Sequence, residues 1–280
     1  MKDFRGKVAV ITGAASGIGR ALADQCAQAE MRVVLADVEP AALARAEKEM
    51  QAAGATTLAV LTDVSKARDV EALAQKTFTA FGAAHLLFNN AGVSSLRPHP
   101  IWDAPLEEWE WLMNVNVWGV IHGIRAFVPR MIEQNSECHI VNTASIAGLM
   151  TGFGIYSITK HAVVALSEAL HLELRERHAQ IKVSVLCPAW VKTRILDAER
   201  NVPDDVPPAS READATLLAR EQIVRQFVET GIPPEIVAAR VLQAIRDEQF
   251  YILTHSRTKP DVQARMEAIL QGTNPPSPWR

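Results

Sequence analysis

The 280-residue chain is poor in cysteine, in dense positive charge and in long apolar runs. Its three cysteines, Cys26, Cys138 and Cys187, are odd in number and far apart. That argues against a disulfide framework and for reduced thiols in a cytoplasmic protein. No Lys/Arg cluster accompanies the formal net charge of -3, so nucleic acid is not an expected partner: phosphate binding needs a basic face. No apolar run approaches the roughly 20 residues of a membrane-spanning helix. Met1-Lys2-Asp3 passes almost directly into a strand-like run, and no secretory leader is expected. The eight histidines are scattered, without zinc-protease spacing or a nearby cysteine pair, and no metal site is expected. No internal repeat or linker divides the chain. With 48% hydrophobic and 22% charged residues it can bury one large core, and a single α/β domain over residues 1–280 is expected.

What is present is an alternation of β-branched runs and helical patterns. Lys7 to Thr12 reads as a buried parallel strand. It runs into Gly13-Ala-Ala-Ser16-Gly17-Ile18-Gly19, after which a helical pattern begins at Arg20. Strand, glycine-rich turn and helix in that order form a phosphate cradle, because the helix N-terminus is partly positive and glycine lets backbone approach a pyrophosphate. An ordinary strand-to-helix turn is the competing reading, and the spacing differs from Gly-x-Gly-x-x-Gly. The second strand, Arg32 to Ala36, ends in Asp37, about twenty residues on, where an acid accepts from ribose hydroxyls and repels a 2'-phosphate. Neither Val38 nor Ser16 offers a base for that phosphate, so NAD is favoured over NADP. A turn or capping role before Pro40 is the alternative for Asp37.

Pro40 to Ala53 reads as a helix stopped by Gly54. The third strand, Thr57 to Thr62, leads to Asp63-Val64, where Asp63 can meet an adenine amino group. Ser65 is expected to cap the next helix, which ends near Gly82. The fourth strand, His85 to Phe88, opens into Asn89-Asn90-Ala91-Gly92, which suits a close-packed cofactor wall or a simple polar turn. The alternation predicts a parallel sheet with helices on both faces and right-handed crossovers. Every motif so far lies at a strand's carboxyl end, where such sheets bind ligands.

Leu106 to Asn135 is expected to be one long helix containing Asn114, Asn116 and Gly119. A buried asparagine needs a partner, and Asn116 either binds a proton-relaying water or holds a kink. The fifth strand, His139 to Thr143, brings Ser145 to the sheet edge. Tyr156 and Lys160 follow on a helix running to about Arg177, four positions apart and therefore on one face. An ammonium beside a phenol favours the phenolate and lowers a pKa otherwise near about 10, which suits proton exchange with an alcohol or carbonyl oxygen. Ser145 can hold the same oxygen. Alone, such a pair also occurs on solvated helix faces. The sixth strand, Ile181 to Leu186, precedes Cys187-Pro188-Ala189-Trp190-Val191-Lys192-Thr193, where Val191 backbone and the Thr193 hydroxyl can grip a carboxamide. Asn201 to Ser210 reads as a mobile segment or lid. Helices over Arg211 to Thr230 and Pro234 to Asp247, a strand over Phe250 to Leu253 and a helix over roughly Pro260 to Leu270 complete the pattern. The tail from Gly272 is expected to be poorly ordered.

Thr12 to Gly19, Asn89 to Gly92, Asn116, Ser145, Tyr156/Lys160 and Pro188 to Thr193 stand in order, and with them the chain resembles the short-chain dehydrogenase/reductases over about 7–193. The resemblance implies a Rossmann-type, doubly wound parallel sheet of about seven strands and hydride transfer between a nicotinamide, NAD by the Asp37 reading, and an alcohol or ketone. It implies Tyr156 as general acid/base, Lys160 as ribose ligand and pKa tuner, Ser145 as orienter of the substrate oxygen and Asn116 as holder of the relay water. It also implies a homo-oligomer, a dimer or tetramer paired through the helices around residues 106–135 and 156–177. Two departures stand out. Ala189 replaces the usual glycine, which is harmless if its φ is negative. Ser145 precedes Tyr156 by eleven residues, fewer than is usual; Thr143 sits at the usual interval, but Ser145-Ile-Ala-Gly148 matches the local pattern.

The opening Met1 to Phe4, Phe127 to Ile132 and Phe250 to Leu253 look like members that oxidise bulky benzylic alcohols. Met150, Phe153 and Trp190 would then border an apolar or aromatic substrate, with ordinary core packing as the alternative for each. The substrate is expected to be gripped by about 194–232, and a C-terminal helix near 258–271 to extend the domain. Two other functions share the fold: a non-catalytic nicotinamide-binding regulator or scaffold, and an epimerase or dehydratase. The complete Asn116/Ser145/Tyr156/Lys160 set argues against the first. The short stretch after Thr193 argues against the second.

Overall fold

The computed structural model describes residues 1–95, 100–203, 206 and 215–277. Seven parallel strands form one sheet: β1 Val8–Thr12, β2 Arg32–Asp37, β3 Thr57–Leu61, β4 Leu86–Asn89, β5 Cys138–Thr143, β6 Ile181–Cys187 and β7 Tyr251–Leu253, in the order β3-β2-β1-β4-β5-β6-β7. Chain order reverses between β1 and β4, which opens a crevice at their carboxyl ends. The register sets the strand ends side by side, with Thr12 beside Ala36, Asn89 beside Asn142 and Thr143 beside Leu186. β1, β4 and β5 are buried throughout, as expected of strands covered on both faces.

Helices cover both faces. α1 Gly17–Gln28 and α8 Pro234–Arg246 pack on one, in a core that includes Leu22, Cys26, Val33, Leu35, Val237 and Val241. α3 Ala67–Phe81, α5 Gly119–Gln134 and α6 Gly154–Glu176 cover the other, around Leu73, Phe127, Met131, Leu170 and Leu174. α2 Pro40–Ala52, α4 Leu106–Met113, α7 Ala215–Glu229 and α9 Lys259–Gln271 complete the described helices.

Four local expectations change. α1 starts at Gly17 rather than Arg20, because Ser16 already takes the extended N-cap conformation. Ser65 does not cap α3: Lys66 occupies that position, and the Ser65 hydroxyl donates to Asp63 Oδ1 instead (2.6 Å). The helix over 106–135 is interrupted by a π-helical turn, Asn114–Trp118, between α4 and α5. Asn116 sits in that turn, and such π turns are frequent at functional sites. The described part of the tail is mostly exposed but tethered at one point, where the Thr151 hydroxyl donates to Pro276 O (2.8 Å). Most of the segment expected to be mobile, 204–205 and 207–210, lies outside the described residues, as do 211–214 of the helix expected there and 278–280 of the tail.

Candidate active site

One cavity of about 460 Å³ runs along the carboxyl edge of the sheet. At the β1–β2 end its floor is the glycine turn. Gly13 and Gly17 have φ of +65° and +54°, a region that a side chain disfavours. Gly19 is needed for space: a Cβ there would lie 2.0 Å from Gly13 O. Thr12 binds this turn to β4. Its hydroxyl accepts the N–H groups of Asn90 (2.9 Å) and Ala91 (3.0 Å), while Asn90 Nδ2 donates to Thr12 O (3.0 Å).

Asp37 is buried at the end of β2. Its Oδ2 accepts Ala15 N–H (2.9 Å) and its Oδ1 accepts Glu39 N–H (3.0 Å). Each carboxylate oxygen keeps further acceptor capacity. Asp37 does not cap α2, whose N-cap is Glu39; the turn and ribose readings are compatible for it. Asp63 is tied more fully, by Ser65 N–H and hydroxyl on Oδ1 and by Lys66 Nζ on Oδ2 (3.0 Å). Burial opposes its ionisation, but those hydrogen bonds prevail and hold its carboxyl below the usual range. Beside it, Val64 O pairs with His122 Nδ1 (2.9 Å).

The other end of the cavity is made of buried polar side chains. Ser145 caps the 3-10 turn Ile146–Gly148, its Oγ accepting Ala147 N–H (3.1 Å). Its hydroxyl also donates to Pro188 O (3.4 Å) and stands near enough to the Tyr156 phenol to act on its ionisation, whereas the Thr143 hydroxyl donates to Asn90 Oδ1 (3.3 Å). Gly152 and Gly154, with φ of +93° and +57°, close the short loop that delivers Tyr156 to the first turn of α6. Lys160 lies one turn further on, 3% exposed, with Nζ 5.6 Å from the Tyr156 ring centre and donating to Thr143 O (3.0 Å). Gly92 leaves the space in front of it, since a Cβ there would stand 3.2 Å from Nζ.

The lowered phenol expected from this pairing is not found. Burial pushes the Tyr156 phenol up, the nearby Ser145 hydroxyl opposes the rise and Cys187 adds to it. Lys160 cannot offset this, because burial pushes its own ammonium down to about 8, against a small opposing effect of Cys187.

Every cavity residue expected from the sequence lines this cleft except Met150 and Asn116. Met150 packs instead against the cluster of Leu149, Val163, Val164 and Val185, drawn away by the tight loop. Asn116 lies behind the wall, 0% exposed. Its Oδ1 accepts Val93 N–H (2.9 Å) and its Nδ2 donates to Val93 O (2.9 Å) and Thr159 Oγ1 (3.1 Å). Its bonds in the structure thus clamp the π turn to the loop after β4.

Beyond β6, Ala189 is not among the residues with positive φ, so the missing glycine costs nothing. Trp190 O accepts Ile232 N–H (3.1 Å) and Ile232 O accepts Lys192 N–H (3.0 Å). In this parallel bridge the peptide groups of Val191 itself point the other way. The Trp190 ring stacks on Phe227 (5.1 Å, 24°) and meets Phe153 edge-on (6.5 Å). Trp111, Val224, Val228, Arg200 and Asn201 also line the cavity. All but Trp111 fall in the segment about 194–232 expected to grip the substrate, but no periodic or motif signal singled out any of the five.

The glycine turn at a helix N-terminus, lining the cavity, together with a strand-end acid that still has acceptor capacity, fits a dinucleotide. Comparison with known proteins agrees. The model of the short chain dehydrogenase family matches residues 7–203. A crystal structure of a short chain dehydrogenase/reductase from Burkholderia phymatum, in complex with NAD, superposes with a TM-score of 0.96 at 44% identity and covers 100% of both chains. A CLA biosynthesis dehydrogenase/reductase of Lactiplantibacillus plantarum is 33% identical over 96% of this chain and 95% of its own length. A 1-deoxy-11-beta-hydroxypentalenate dehydrogenase of Streptomyces exfoliatus is 34% identical over 97% and 92%.

Proposed function

Because the chain belongs to the short-chain dehydrogenase/reductase family, we propose that it is an NAD-dependent enzyme moving a hydride between a nicotinamide and a secondary alcohol or ketone, preferentially an apolar or aromatic one. The observation that carries this reading is the placement of the Ser145–Tyr156 hydroxyl pair and Lys160 in the same cavity as the glycine turn and Asp37. Bound there, the nicotinamide would supply the hydride acceptor or donor. Gly13, Ser16, Gly17, Ile18 and Gly19 would hold its pyrophosphate, Asp37 its adenosine ribose, and Asn90, Ala91, Gly92 and Lys160 its other ribose. Asp63 and Val64 would flank the adenine. Pro188, Val191 and Thr193 would hold the carboxamide.

The chain's own groups handle the proton. The raised phenol of Tyr156 is protonated at neutral pH, the form that donates to a carbonyl oxygen in reduction. Ser145 donates a second hydrogen bond to that oxygen, and Asn116 keeps the loop before α4 in place. Phe153 and Trp190 form the apolar wall that favours an aromatic or aliphatic substituent over a charged one. We read residues 194–232 and α9 as substrate-side extensions of one domain.

The exposed apolar side chains Trp118 in the π turn, Ile132 on α5, and Ile158 and Leu172 on α6 support pairing of these helices in a dimer or tetramer. The three buried free thiols support a reducing, cytoplasmic setting. Among the described residues no helix is long and apolar enough to cross a membrane.

The test is a coenzyme-resolved screen of purified protein, with NADH and NADPH assayed separately against aryl ketones, aliphatic ketones and charged oxo acids. NADH-dependent reduction of the first two classes is expected. Absence of turnover with either coenzyme, or preference for NADPH, would overturn the assignment.

A further inference from the structure

The segment after β6 crosses the cleft twice on its outer side. The first crossing is at Thr193, whose Cγ2 lies 3.2 Å from where a Cβ on Gly17 would stand. The second is at the 3-10 turn Ala198–Asn201. There Arg200 Nε donates to Glu39 Oε1 (2.7 Å), and Asn201 Nδ2 donates to the same oxygen (3.1 Å).

Both partners in this second crossing are held. Glu39 is tied through its N–H to Asp37, which in turn holds the glycine turn through Ala15. Arg200 donates through Nη1 to the carbonyls of Arg194 (2.8 Å) and Asp197 (2.7 Å), so one guanidinium shapes the strap and fastens it. Arg194, Leu196 and Arg200 of the strap and Gly17, Asp37 and Glu39 of the floor line the same cavity. The space therefore lies between them.

On the reading that this cavity takes a dinucleotide, we infer that the Glu39–Arg200 pair is a latch that opens for the dinucleotide to enter and leave, and so sets its exchange rate. Whatever occupies the groove between Asp37 and the glycine turn lies beneath a closed strap, and no contact to the ligand itself is needed for this control. Burial works against the Glu39 carboxylate, yet the bonds from Arg200 and Asn201 hold it below its usual range. The pair thus stays ionised at neutral pH. Its side chains are 25% and 30% exposed, enough for salt to screen them.

The experiment is displacement of NADH from the full-length protein, followed by stopped-flow fluorescence, in wild type, Glu39→Gln, Arg200→Gln and the double variant. Each single change is expected to raise the dissociation rate about fivefold, the size of effect a partly exposed ion pair supports. The double variant is expected to be no faster than Arg200→Gln alone, because the interaction that Glu39→Gln removes is already gone there. High salt is expected to accelerate release from wild type and to leave the variants nearly unchanged. Rates within about twofold of wild type, additive effects, or equal salt dependence in all four proteins would overturn the latch. Should a variant fail to fold, the salt response of wild type alone decides: no acceleration overturns it. If wild type binds neither NADH nor NADPH, the dinucleotide reading itself fails, and the latch with it; binding at an unaltered rate removes the latch alone.

Discussion

At the Asp37 end of the cleft the chain makes room by leaving atoms out, whereas at the Tyr156 end it fills space with buried polar side chains. Gly13, Gly17 and Gly19 contribute only backbone, and the turn they form could not close around a single added Cβ at Gly19. Ser145, Tyr156, Lys160 and Asn116 contribute hydroxyl, phenol, ammonium and amide, and the side chains of Ser145, Lys160 and Asn116 are fixed by hydrogen bonds. The difference teaches where each end is vulnerable: adding an atom breaks the first, and removing one breaks the second.

The largest expected effect comes from removing one oxygen at the polar end. Tyr156→Phe should cut turnover by roughly 10²–10⁴, the span of a lost general acid, while NADH binding measured by fluorescence stays close to wild type. Turnover near the wild-type level would show that the phenol is not the acid. At the other end, Gly19→Ala adds one methyl group 2.0 Å from Gly13 O. It should weaken NADH binding by about tenfold or more and lower stability by about 1–3 kcal/mol, the usual cost of overpacking. Isothermal titration and thermal melting check both. Normal binding by this variant would mean that the turn tolerates added atoms, and the contrast would fail.

The two ends were not equally legible in the sequence. The glycine turn, Asp37 and the Asn90-Ala91-Gly92 run are local patterns, and the parallel register delivers them to one edge without further information. Tyr156 and Lys160 follow from helical spacing. Met150 was misplaced because the turn made by Gly152 and Gly154 depends on left-handed backbone that residue identity only hints at. The direction of the Tyr156 shift was misread because sequence shows the neighbouring ammonium but not the burial that depresses it. Arg200 and Glu39 are 161 positions apart, and nothing local joins them. The π turn at Asn116 arises from side-chain bonds to Val93, a contact across 23 positions.

Asp37 tests whether the contrast is too simple, since it is a side chain at the backbone end. Asp37→Ala should reduce the ratio of kcat/KM for NAD over NADP by about tenfold, the value of one charged hydrogen bond or one removed repulsion. It should also cost about 1–3 kcal/mol of stability, because the Ala15 and Glu39 N–H groups lose their acceptor. Asp37→Asn, which keeps an acceptor oxygen, should recover part of the stability but not the coenzyme preference. An unchanged preference in both variants would reduce Asp37 to a clamp on the glycine turn.

The smallest effect is a pH dependence at the polar end. Burial holds the Lys160 ammonium down to about 8, so Lys160 is charged below that pH and neutral above it. Tyr156 is shifted upward, away from this range, and Cys187 is pushed up to about 12 by burial, with Lys160 pulling the other way. No histidine lines the cavity among the described residues. If the charged form of Lys160 is the active one, kcat/KM for reduction should fall only about twofold between pH 7 and 8, about fivefold from 8 to 9, and approach about tenfold per unit above that, as a single titrating group dictates. In Lys160→Arg the guanidinium stays protonated throughout, so whatever activity survives should lose the break near 8. A break that persists in that variant would assign it to another group and leave Lys160 with a purely geometric role, holding Thr143 O and the space before Gly92.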